Sequence, residues 1–278
     1  MARSRPDRCP GIVHPWPADD GGLVRVRVPG GRVRLSALRA LAAVAEQYGD
    51  GRVRLTGRAN LQVRAMPLGA DGSLAAPALA ALEATGLLPS RSHDRVRNVL
   101  VSPQTGLAGG RADLRPVLAA LDTLLLSDPA LAALPGRFLF TLDDGRGDLA
   151  DKHLDLGLVA LDATTAQLRV GEQWGAVVGL ADAPAALVAL ARDFLAARGT
   201  GPDAPWHVPE LARPLAPPVP AADGATVATG PLPLGPVAGG RHVAVPDDGL
   251  DPSAIATWTA PTVIVTPWHG VLIPEEAA

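Results

Sequence analysis

The stretch Val53-Arg54-Leu55-Thr56-Gly57-Arg58-Ala59-Asn60-Leu61-Gln62-Val63-Arg64-Ala65-Met66 decides the fold. Val53 and Leu55 alternate with Arg54, and Leu61 and Val63 alternate with Gln62 and Arg64, the period of two half-buried strands. Gly57 lies between them and reads as the bend, at a positive φ where a Cβ would clash. The turn gathers hydroxyl, guanidinium and amide groups, a surface that suits a flat polyanionic ligand. The plainer reading is a solvated turn.

Upstream, Leu23 to Val28 alternates valine and arginine as a two-faced strand. Pro29-Gly30-Gly31 is a turn. Ser36 reads as the N-cap of a helix that buries Leu38, Leu41 and Val44 and ends at Gly49. A second helix over residues 76–85 stops at Gly86. Downstream, Val99-Leu100-Val101 is an apolar strand and residues 102–110 are a loop. Residues 113–126 form a helix, and residues 138–142 a strand. Asp143-Asp144-Gly145-Arg146-Gly147-Asp148 reads as a hairpin turn, because no glutamate follows to complete a calcium loop. A hairpin follows over 156–161 and 167–170, and a helix opened by Asp182 and Pro184 closes near Gly199. Residues 199–236 are dense in Pro, Gly and Ala and read as a connector over the surface.

The opening pattern then returns. Gly239-Gly240 answers Gly21-Gly22, Val245-Pro246 answers Val28-Pro29, and Ser253 answers Ser36. Thr262 to Thr266 answers Val53 to Thr56. The offset is about 217 residues, falling to about 210 at the last pair, as a shorter second helix would cause. Two half-domains far apart in sequence therefore form one domain, and the segment between them is an insertion. The fold class is α+β, divided as 1–90 (first half), 91–199 (inserted α/β domain), 200–236 (connector) and 237–278 (second half).

The chain has 278 residues, 47% of them hydrophobic, enough for a large core. All 25 basic residues except Lys152 are arginine. Residues 1–100 carry a net +7 and residues 101–278 a net −10 within an overall −3, so a basic first segment can steer an anion. Nucleic acid is disfavoured by 3% aromatic content and negative net charge. Residues 174–191 are apolar but interrupted by Asp182 and Pro184, too broken to span a bilayer. Met1 to Pro6 has no apolar run behind it, so no signal peptide is expected and the location reads as cytoplasmic. Cys9 stands alone, in a segment expected to be mobile, which excludes an internal disulfide and a multi-thiolate cluster from this chain alone. The six histidines show no ligand spacing, so no metal site is expected.

Thr56-Gly57-Arg58-Ala59-Asn60-Leu61-Gln62 resembles the T-x-R-x-N-x-Q stretch of the nitrite and sulfite reductase superfamily, with the precorrin-3B synthase branch nearest in pattern. Cys9-Pro10-Gly11, Asp20-Gly21-Gly22-Leu23, Pro29-Gly30-Gly31, His93-Asp94-Arg95-Val96-Arg97-Asn98-Val99 and Leu134-Pro135-Gly136-Arg137-Phe138 agree with it in order and spacing. The resemblance implies two ferredoxin-like halves with an inserted sirohaem-type domain. It implies carboxylate-rich tetrapyrrole binding by Arg58, Arg97 and Arg137, the three arginines converging on one concave face, with Asn60, Gln62 and Asn98 in the same motifs. A ring bearing many carboxylates suits arginine, whose fork pairs with a carboxylate bidentately. It further implies an oxidoreductase of cobalamin biosynthesis. The family's cluster-bearing cysteine domain is not matched here, so an iron–sulfur cluster requires a cysteine-bearing partner. The family's second basic position after the Leu-Pro motif is Leu139, which argues against reduction of a small oxyanion. Trp268 stands where Arg58 stands in the first half. The alternative is a non-catalytic tetrapyrrole-binding or scaffolding protein without the redox domain.

Overall fold

A computed structural model describes residues 9–275; the Met1–Pro6 segment lies outside the described residues. From Cys9 to Arg95 run β1 (Trp16–Ala18), β2 (Gly21–Val26), β3 (Arg32–Arg34), α1 (Leu35–Tyr48), β4 (Arg54–Leu55), β5 (Leu61–Met66) and α2 (Ala76–Ala84). From Val96 to Leu232 run β6 (Val99–Val101), α3 (Arg115–Ser127), β7 (Phe140–Asp143), β8 (Leu156–Ala160), β9 (Thr165–Val170), β10 (Gln173–Gly179) and α4 (Ala183–Arg198). The chain then forms β11 (Gly235–Val237), β12 (Gly240–Ala244), α5 (Pro252–Ala256), β13 (Thr262–Thr266) and β14 (Gly270–Pro274). Two compact units result: Cys9–Arg95 together with the chain from Pro233 onward, and Val96–Leu232.

In the first unit the two halves repeat one topology. One sheet runs β1-β2-β5-β4, and the other runs β11-β12-β14-β13 before adding β3 at its edge. The fifth strand therefore comes from the other half. Val33 faces Val263 in that antiparallel pairing, flanked by Arg34–Thr262 and Arg32–Ile264. The exchange runs both ways, because Val53 and Leu250 form an antiparallel bridge with Leu250 N–H donating to Val53 O at 2.8 Å. An edge strand left open would expose unpaired backbone groups, and β3 covers the β13 edge. Even the turns repeat: Ala59 and His269 both adopt φ 54°, the left-handed region that residues with a Cβ rarely occupy.

Two local expectations need correction here. Gly57 is not the left-handed residue; Ala59 is, held by its N–H to Thr56 O at 2.9 Å. Ser36 is not the N-cap of α1, which begins at Leu35 after Arg34 with no side-chain cap. The Leu35 N–H, the first amide of the helix, donates to Pro261 O at 2.9 Å, so the other half satisfies it. Arg39 of α1 returns the contact, donating to Trp258 O at 2.7 Å just beyond α5. Leu38, Leu41 and Ala45 of α1 are fully buried.

The second unit is one five-stranded sheet, ordered β10-β9-β8-β7-β6. β6, β7 and β8 are parallel, and β8, β9 and β10 antiparallel. Phe138, Phe140, Leu142, Leu156, Leu158, Leu168 and Val170 share a core with Leu121 of α3 and Leu187 and Phe194 of α4. Alternation along the strands sends Thr141, Asp143, Gly157, Val159, Gln167 and Arg169 to the opposite face. Residues 204–229 run along this unit: Gln167 Nε2 donates to Pro220 O at 2.8 Å and its Oε1 accepts from Ala222 N at 2.7 Å. No described helix is long and apolar enough to cross a membrane.

Gly31 marks how close the halves come. It sits at φ +66°, and a Cβ there would lie 2.0 Å from Val265 O. Gly31→Ala should therefore cost about 2–4 kcal/mol of stability. Gly57→Ala, where an added Cβ meets nothing within 4 Å, should be neutral or stabilising by a few tenths of a kcal/mol. Thermal melts of the two variants check the contrast, and equal losses would contradict the interlocked halves.

Candidate functional site

The turn between β4 and β5 builds itself from short-range bonds. Thr56 Oγ1 accepts from Asn60 N at 3.2 Å and Arg58 N at 3.4 Å. Asn60, 1% exposed, accepts at Oδ1 from Val28 N at 3.0 Å and so pins the turn to the end of β2. Gln62 accepts from Arg25 Nη2 at 3.2 Å. Arg58 is half-buried on the same turn. Asn60 thus spends its amide oxygen on architecture, while Arg58 and Gln62 are half-buried.

Arg25 and Arg27 are the neighbours that the sequence reading left out. They stand two apart on β2 and its extension, and both reach Cys9: Arg27 Nη2 lies 3.3 Å from Sγ and Arg25 Nη1 3.6 Å. Burial lowers the Arg27 guanidinium to about 10, partly countered by Cys9. Cys9 is 8% exposed. Cys9 is therefore buried and held by two guanidinium donors, while residues 1–8 of the segment expected to be mobile lie outside the described residues. The signal was present in the valine–arginine alternation, which places both arginines on one face.

In the other unit the motif residues are engaged within that unit. Arg97 forms a bidentate pair with Asp122 of α3, Nε to Oδ1 and Nη2 to Oδ2 both at 2.7 Å. Asn98, 1% exposed, donates to Gly136 O at 2.9 Å and Phe138 O at 3.3 Å, tying the start of β6 to the Leu134–Phe138 segment. Arg137 is exposed, with its guanidinium 5.6 Å from the centre of the Trp206 ring. Leu139 is buried, and its N–H donates to Asp155 Oδ2 at 2.8 Å. Arg58, Asn60 and Gln62 belong to the first unit and Arg97, Asn98 and Arg137 to the second.

Residues 143–148 are a crossover rather than a hairpin turn, because the strands they join, β7 and β8, are parallel. A parallel pair needs a longer return path, and this one is held by buried carboxylates. Asp143 accepts from the N–H groups of Gly145 and Gly147 at 2.9 Å each and Leu149 at 3.3 Å. Asp144, fully buried, pairs with Arg146 through Nε at 2.8 Å and Nη2 at 2.7 Å. Asp148 accepts from Ser102 Oγ at 2.8 Å. Burial pushes the Asp148 carboxyl up to about 7, and the neighbouring Asp143 charge adds to it. Among the described residues no three His, Cys, Asp or Glu side chains are placed to hold a metal ion.

Residues 17–70, which contain the β4–β5 turn, match the nitrite/sulfite reductase ferredoxin-like half domain. The chain is similar to precorrin-3B synthase of a Sinorhizobium species, 30% identical over 129 residues, 46% of this chain and 23% of that protein. It is similar to a ferredoxin–nitrite reductase of Synechococcus elongatus, 33% identical over 131 residues, 45% of this chain and 25% of the enzyme. The matched stretch thus spans about a quarter of each relative. The structure of the Mycobacterium tuberculosis NirA protein superposes with a TM-score of 0.68 at 19% identity, over 96% of this chain and 60% of that one, a likeness of fold.

The Asp148 carboxyl sets a pH test. Its folded value of about 7 lies above the ordinary aspartate value, so the folded state holds the proton more tightly. Stability is then complete below about pH 4 and falls as pH rises through about 7. Asp148→Asn keeps an oxygen for Ser102 and removes that loss. The variant should gain a few degrees of melting temperature over the parent at about pH 8, and much less at about pH 5. An equal difference at both values would show that Asp148 ionises like an exposed aspartate.

Proposed function

We propose, from the premise that this chain is a member of the nitrite/sulfite reductase superfamily with similarity to precorrin-3B synthase, that it binds a carboxylate-rich tetrapyrrole as an oxidoreductase component of cobalamin biosynthesis. The observation that carries the reading is the turn in its half domain. Thr56 and Asn60 hold the backbone there by side-chain hydrogen bonds, and Arg58 is half-buried on that turn. A charge-assisted bond from such an arginine contributes about 1.5–3 kcal/mol, well above an exposed ion pair. Arg97, in the second unit, is already engaged by both carboxylate oxygens of Asp122.

The second reading is a tetrapyrrole-binding or scaffolding protein with no redox step of its own. The thiol chemistry favours it for this chain taken alone. An iron–sulfur cluster needs several thiolates, and the one cysteine is buried between Arg25 and Arg27. The residues present do not fit such a cluster, so catalysis requires a cysteine-bearing partner domain. The two readings separate on one assay: conversion of a precorrin when a cysteine-bearing domain is added supports the component reading, and ring binding without conversion supports the scaffold.

Titration with a uroporphyrin-type ring, read by its absorbance, tests the binding itself. Affinity should be micromolar or weaker and should fall with added salt. Arg58→Ala should weaken binding by roughly ten- to a hundredfold and leave the melting temperature nearly unchanged. Equal binding by parent and variant would remove Arg58 from the site, and no binding with the partner domain present would end the tetrapyrrole reading.

A further inference from the structure

The helix-free face of the second unit's sheet carries a cleft that the tetrapyrrole motifs do not use. Strand register sets Thr141, Gly157, Arg169 and Trp174 in one row across β7, β8, β9 and β10. Glycine at the second position leaves no side chain between Thr141 and Arg169. The resulting cleft has a volume of about 220 Å³, between the sheet and residues 225–227.

Its polar groups are unusual for a sheet face. Thr141 is 3% exposed, and its Oγ1 is buried without a hydrogen-bond partner. Leaving such a hydroxyl unmade is costly, so it points to a missing acceptor or donor. The Arg169 guanidinium stacks 4.4 Å from the centre of the Trp174 ring, and its Nε is likewise buried without a partner. Burial depresses Arg169, and no carboxylate counters that. Asp143 also lines the cleft, but its oxygens are taken by three backbone N–H groups. The remaining wall is apolar, from Leu149, Leu154, Val159 and Val227.

We propose that this cleft binds a carboxylate on a short apolar body, the carboxylate held by Arg169 and Thr141 and the body by the apolar wall. Arginine stacked on an aromatic ring keeps its N–H edge free to meet a carboxylate in plane. A cleft of about 220 Å³ is worth roughly seven waters, room for a small aromatic or branched acid. The carboxylate has two possible sources, a free acid or the acid arm of a larger molecule. The site does not depend on Arg58.

Benzoate and benzamide, equal in shape and different in charge, test it on the intact protein by ligand-observed NMR titration. Benzoate should bind in the millimolar range or tighter, and benzamide at least about tenfold more weakly. Arg169→Gln should abolish that preference, Thr141→Val should weaken benzoate several-fold, and Arg58→Ala should change neither. Competition by a uroporphyrin-type ring would assign the carboxylate to a larger molecule's arm; its absence would assign it to a free acid, and the site stands in both cases. Equal binding of benzoate and benzamide by the unmodified protein, or no binding of either, overturns the proposal without any variant. Because Arg58 and Arg169 are read separately, failure here leaves the tetrapyrrole reading intact.

Discussion

The first unit depends on the pairing of β3, from one half, with β13 of the other. β3 completes the sheet of β11 to β14, and the Val53–Leu250 bridge returns the favour at β4. A four-stranded antiparallel sheet of short strands buries little by itself, and an isolated half would leave α1 with one covered side. The two contacts join segments about two hundred residues apart in sequence, a large loop closure whose entropic cost grows only slowly with length. The second unit is what that loop contains. Its own core of Phe138, Phe140, Leu121, Leu187 and Phe194 lets it fold on its own terms.

The same exchange disciplines the candidate site. The β4–β5 turn must end near Gly31, whose missing side chain admits Val265 O and lies close to the Ala59 Cβ. Ala59 accepts a left-handed backbone to make that fit, a strain that persists only where the surroundings over-determine it. Its equivalent, His269, repeats the conformation in a turn that carries Trp268 in place of Arg58. One scaffold therefore presents a guanidinium in one half and an indole in the other. The halves share geometry and differ in chemistry, which is how a duplicated unit can keep its fold while its surfaces diverge.

Much of this was legible in the sequence because it is written locally. The alternation around Thr56–Gln62 and the returning Gly-Gly, Val-Pro and Thr signals mark the strands and the repeat. The errors cluster where a distant partner decides. Ser36 looks like a cap, but the helix begins at Leu35, whose N–H meets Pro261 O from the other half. Gly57 looks like the bend, yet the packing against Gly31 puts the left-handed residue at Ala59. β10 was hidden in an apolar run that continues into α4, and its exposed edge position gives it no clean alternation. The Asp143–Asp148 loop reads as a hairpin until the parallel pairing of β7 and β8 is known. The pairing of Arg97 with Asp122 depends on α3 lying over β6, which no spacing announces. Arg169 and Thr141 are ordinary polar residues in two strands until register places them in one row.

Native-state hydrogen exchange tests the central claim most directly. The Leu35 amide, bonded to Pro261, and the Leu250 amide, bonded to Val53, both cross between the halves. If the halves are one cooperative unit, these amides exchange only through the same opening as the centres of β5 and β14, with the same free energy and the same dependence on denaturant. Exchange of Leu35 and Leu250 through a separate, lower-energy opening, while β5 and β14 remain protected, would show two independent halves and contradict the account.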